Sequence, residues 1–119
     1  MPHALIEGPC TVRSYCERFE SREWRDGDRV IRTVAAFVGR DAVSALVECA
    51  VVEGYLRQIL LVLLLQKREG VLVRLFHGSN PEKTEGVRLC LARIGQEMVA
   101  QDPACRWGQH TLGIPVPPR

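Results

Sequence analysis

Tyr55-Leu-Arg-Gln-Ile-Leu-Leu-Val-Leu-Leu-Leu-Gln66 decides the fold, because its centre is apolar at both odd and even positions. Successive side chains of an extended chain point to opposite faces, so Tyr55, Arg57, Ile59, Leu61, Leu63 and Leu65 fall on one side. Leu56, Gln58, Leu60, Val62, Leu64 and Gln66 fall on the other. A strand that is greasy on both faces belongs inside a sheet with a cover above and a cover below. The rival reading is one long helix from Ala42 to about Arg68, capped by Asp41. Gly54 would cost that helix about 1 kcal/mol, and Val43, Val47, Val51 and Val52 would lose rotamer freedom in it. Two strands meeting at Glu53-Gly54 are therefore preferred.

Working outward, Val43 to Val52 is rich in valine and Arg29 to Val38 is β-branched, with Gly39-Arg40-Asp41 between them. Asp26-Gly27 is a hairpin signal, and Thr11 to Trp24 before it, with Tyr15 and Phe19 among scattered charges, suits a partly exposed strand. After Gln66, Lys67-Arg-Glu-Gly70 makes a polar connection and Val71 to His77 returns as a further strand. Five strands joined by tight turns predict an antiparallel meander.

A helix follows. Ser79 and Asn80 offer side-chain caps, Pro81 suits the first helical position, and Glu82 and Glu85 complement the positive end of the dipole. Val87, Cys90, Leu91, Ile94 and Met98 share one face, and Asp102-Pro103 ends the helix. The expected architecture is α+β: a five-stranded antiparallel meander with one C-terminal helix packed on one sheet face. It forms a single domain over residues 1–119, with short extensions at 1–9 and in the proline-rich 111–119.

Composition bounds the function. Hydrophobic residues make up 46% and charged residues 25%, which suits a globular chain rather than a disordered one. Sixteen basic and 14 acidic residues are interspersed, as in Glu23-Trp-Arg-Asp26, so no nucleic-acid footprint is present. The apolar run Ile59 to Leu65 is far shorter than the ~20 residues of a membrane helix. Met1 to Glu7 carries no export signature, so a cytoplasmic location is expected. The five cysteines form an odd set without a Cys-x-x-Cys pair, which argues for reduced thiols and against a zinc site. Cys49 and Cys90 read as core residues.

Candidate chemistry is sparse. His77-Gly-Ser-Asn80 sits where a strand hands over to a helix N-terminus, a place that can hold an anion. Gly78 to Thr84 is one residue short of a phosphate loop and carries Glu82 where phosphate would be repelled, and capping alone explains Ser79 to Pro81. His3, His77 and His110 are too scattered for a metal site, and no metal or cofactor is expected. Cys105 beside Arg106 has a thiol that positive charge could activate, but no base accompanies it. Arg57 and Arg74 interrupt apolar strands, with Glu48 and Glu53 as the carboxylates to pair them, and Trp24 and Trp107 could wall a pocket around them.

Two function classes follow. The first is a non-catalytic homodimeric interaction or regulatory module, because one helix covers one face and leaves the other face of Tyr55–Gln66 apolar. The second is a small-molecule binding domain with an apolar cavity between sheet and helix, anchored by Arg57, Arg74, His77 or Ser79. Paired carboxylates, a metal set and a nucleophile with its base are all missing from the pattern, which disfavours an enzyme.

Overall fold

The computed structural model of the chain describes residues 1–116, so Pro117–Arg119, the end of the proline-rich tail, lie outside the described residues. The elements in chain order are β1 (His3–Glu7), α1 (Val12–Glu17), β2 (Arg22–Asp26), β3 (Arg29–Val38), β4 (Ser44–Glu53), β5 (Leu56–Gln66), β6 (Gly70–Leu75), α2 (Glu85–Gln101) and β7 (Arg106–His110). Every pairing is antiparallel, in the order β2-β3-β4-β5-β6-β1-β7, and the sheet curls into a half-barrel.

The long-helix alternative for residues 42–68 is excluded. Gly54 stands at φ 60° between Glu53 and Leu56, which pair directly, so the chain reverses in two residues. Only a residue without a side chain enters that left-handed region freely. β5 then runs through the middle of the sheet as its double-sided apolar pattern requires, with β4 on one side and β6 on the other.

The α+β class and the antiparallel sheet stand, but among the described residues the sheet has seven strands rather than forming a five-stranded meander. Strands β2 to β6 do neighbour one another in sequence order; β1 and β7 then extend the sheet past β6. Residues His3–Glu7, expected in an extension, form β1 between β6 and β7, and Ala4 and Ile6 are fully buried. Gly70 lets β1 approach, because a Cβ there would stand 1.8 Å from the Ile6 carbonyl oxygen. β7 follows α2, where the sequence shows no strand pattern: Arg-Trp-Gly-Gln-His has one large apolar residue and sits at an edge.

The expected first strand, Thr11 to Trp24, is also corrected. Its first half is α1, because the Thr11 hydroxyl accepts the Ser14 N–H at 3.0 Å as an N-cap. Val12 and Tyr15, three apart, then turn the same buried face inward. Only Arg22–Asp26 is strand, closing on β3 through the turn after Asp26.

α2 covers the inner face. Val87, Cys90, Leu91, Ile94 and Met98 are all buried, against Ile6, Val47, Val51, Leu60, Val62, Leu64, Val73 and Leu75 of the sheet. Each such aliphatic side chain contributes about 1.5–3 kcal/mol of transfer free energy. The helix begins at Glu85, later than Ser79 to Pro81 suggested, and Thr84 is its N-cap, accepting the Val87 N–H at 3.3 Å. Ser79 is engaged elsewhere, accepting the Leu61 N–H at 3.0 Å, and Gln58 ties down both backbone groups of Glu82. The stretch before Thr84 is thus bound to the edge of β5 and does not enter the helix.

Candidate functional site: the outer face of the sheet

Strand alternation sends half of every strand to the side away from α2. The register puts Phe37, Leu46, Leu63, Arg74 and His3 in one row across β3 to β1. Ser44, Leu65, Leu72 and Leu5 form the next row toward one end. Toward the other end come Ala35, Glu48 and Leu61, then Arg32, Ala50 and Ile59, then Val30, Val52 and Arg57. Both helices pack on the inner side, so this face carries no cover among the described residues. Ile59 is 76% exposed and Phe37 is 56% exposed, while Leu61, Leu63 and Leu65 between them are half-buried by their neighbours.

Four charged residues stand on this apolar ground. Arg32 is paired with Glu23 at 2.6 Å, and that guanidinium holds the Glu23 carboxyl below the usual range. Glu48, Arg57 and Arg74 have no ion pair among the described residues. The Nε of Arg74 is shut off from water without a hydrogen-bond partner. Neither expected carboxylate pairs Arg57 or Arg74. Glu53 is committed to Arg29 at 3.2 Å, to the Gly86 N–H at 2.9 Å and to the Thr84 hydroxyl. It therefore fills the N-terminus of α2 with negative charge, which disposes of an anion site there.

The four residues singled out from the sequence do not converge. Arg57 and Ser79 line one open notch of about 570 Å³, together with Glu48, Ile59 and Asn80. Arg74 lines a separate hollow with Met1, His3 and Leu72. His77 is exposed, its ring tilted against Phe76 at 5.0 Å. Trp24 and Trp107 are likewise apart: Trp24 lies under the Arg93 guanidinium at 5.7 Å, and Trp107 is on β7 against Gly95.

Three side-chain clusters escaped the sequence. One is the Arg29, Glu53 and Thr84 knot at the start of α2. The second surrounds Glu97, which accepts Arg22 Nε at 2.9 Å and the Tyr15 hydroxyl at 3.4 Å beside a cleft of about 390 Å³. Burial pushes the Glu97 carboxyl up despite Arg22, and burial together with Glu97 pushes the Tyr15 phenol up. The third comprises two thiol pairs. Burial and the neighbouring Cys105 thiol push Cys10 up to about 12, and the contact with Cys90, then burial, raises Cys49. Cys105, read as a reactive candidate, is 1% exposed, so it lacks the open, electropositive setting that such a thiol needs. The partners in these clusters are 24 to 95 residues apart in sequence (Arg29 to Glu53, Cys10 to Cys105), and only the fold brings them together.

Among the described residues no group of three His, Cys, Asp or Glu side chains is placed to hold a metal ion, and no helix is long and apolar enough to cross a membrane. Comparison with protein-family models, with curated proteins and with solved structures finds no match to this chain.

Proposed function

We propose that the protein is a small non-catalytic interaction module that works as a homodimer, its subunits meeting through the outer face of β3 to β6. The observation that carries this reading is the continuous row of Phe37, Leu46, Leu63 and its neighbours Ile59, Leu61 and Leu65, with no helix over them. Apolar area of that extent in the centre of a sheet marks an association surface. The alternative, a ligand held between sheet and helix, draws little from the inner face. There Leu60, Val62 and Leu64 meet Leu91 and Ile94 with 1% exposure or less. Catalysis draws little from the titratable groups: the Glu97 carboxylate is bound by Arg22 and Tyr15, and the raised thiols stay protonated.

Sedimentation velocity over a micromolar range tests the reading. The wild type should sediment as a dimer. Leu61→Glu, on the outer face, should give a monomer with unchanged far-ultraviolet circular dichroism. Leu60→Glu, one residue away but 1% exposed under α2, should unfold the chain. A wild type that stays monomeric throughout the range sinks the proposal.

A further inference from the structure

Resting on the dimer reading above, we infer that the partner is seated by two reciprocal ion pairs, Glu48 of each copy against Arg74 of the other, on either side of a leucine centre. Glu48 lies directly beside Leu61 on the β4 side, and Arg74 lies directly beside Leu63 on the β6 side. The point midway between Leu61 and Leu63 is therefore also midway between Glu48 and Arg74. At ordinary strand spacing and rise the two charges are about 12 Å apart across that point.

A dimer with two-fold symmetry brings residue i of one copy to residue j of the other, and j to i. If the axis lies between two facing sheets, through this midpoint and perpendicular to the line joining the charges, each Glu48 falls over the partner's Arg74. Strands of the two sheets then cross at roughly 70°, near the orthogonal class of sheet packing. Facing sheets stand about 10 Å apart, a gap that an extended arginine and a glutamate span between them.

The monomer shows both halves of the pair waiting. Among the described residues the Nε of Arg74, shut off from solvent, has no hydrogen-bond acceptor. Among the described residues Glu48 is a carboxylate on the same face that is also left without a cation. An outer-face arginine beside apolar Leu72 and Leu63 is unfavourable to bury alone and is tolerated when a carboxylate meets it.

Charge reversal tests the pairing. Glu48→Arg alone places arginine over Arg74 twice, and Arg74→Glu alone places glutamate over Glu48 twice. Each should raise the dimer dissociation constant at least about tenfold by sedimentation. The double reversal Glu48→Arg/Arg74→Glu restores opposite charges and should return the constant to within about threefold of wild type. Should a reversal fail to fold, Arg74→Met keeps the bulk, leaves the partner's Glu48 unpaired, and should also weaken the dimer about tenfold. Single changes without effect, or a double that fails to restore, overturn the pairing while a dimer abolished by Leu61→Glu leaves the broader reading standing. A monomeric wild type overturns both.

Discussion

Replacing Glu53 with alanine should be among the most damaging single changes to the stability of this chain, although the residue ends a strand. Its carboxylate accepts the Gly86 N–H at 2.9 Å and the Thr84 hydroxyl, and it pairs with Arg29 at 3.2 Å. The side chains of Arg29 and Glu53 are only 21% and 18% exposed, so solvent screens the pair weakly. Two hydrogen bonds to a charged acceptor contribute at least about 1.5 kcal/mol each, which sets a loss of about 3 kcal/mol before the ion pair is counted. For a chain of this length that corresponds to a fall of about 12 °C in Tm. Glu53→Gln keeps an oxygen for the Gly86 N–H but drops the charge, and should lose about half as much. Urea denaturation followed by circular dichroism measures both, and hydrogen exchange locates the effect, because protection should collapse first at the amides of Gly86 and Val87. A loss for Glu53→Ala below about 1 kcal/mol, or exchange that quickens evenly along α2, would refute the assignment of Glu53 as the anchor of the helix start.

Glu97→Gln should flatten the acid side of the stability profile. Burial raises the folded Glu97 carboxyl above its unfolded value, so the folded state holds this proton more tightly, and stability from this group is fully present below about pH 4.5. It declines as pH rises through the folded value; urea midpoints that show no such decline in the wild type, or the same decline in the variant, contradict the assignment. Thiol titration under denaturing, non-reducing conditions should recover five thiols per chain, matching the five free cysteines of the structure. Recovery of one would mean that the neighbours Cys10 with Cys105 and Cys49 with Cys90 had closed into disulfides.

What the sequence discloses depends on where a segment's structural information resides. β3, β4, β5 and β6 are legible because periodicity, β-branching and turn glycines agree within a few residues, and the stripe on α2 from Val87 to Met98 is legible for the same local reason. α1 is not, since six residues with Tyr15, Cys16 and a following Phe19 favour a strand by propensity, and only the Thr11 cap together with packing makes them helical. β1 and β7 are held by pairing with each other and with β6, a contact between chain ends that no local window contains. The start of α2 is not legible locally, because Ser79 and Asn80 satisfy the capping rules, while Glu53, 31 residues before Thr84, binds the turn that is used.

The outer face follows the same division between local and register-borne information. That β5 is apolar on both sides is written in residues 55–66, but which side stays open depends on where α2 lands, and α2 is directed to the Leu60 side by Glu53. Glu53, Val51 and Cys49 alternate along one face of β4, so a carboxylate that binds the helix start from this face draws α2 over Leu60, Val62 and Leu64. Glu48, of opposite parity, is thereby left on the face with Leu61 and Leu63. The pair of acids that the sequence offered equally to Arg57 and Arg74 is thus divided by strand parity: Glu53 fastens the fold from within, and Glu48 remains with Arg74 on the surface that the proposed partner would cover.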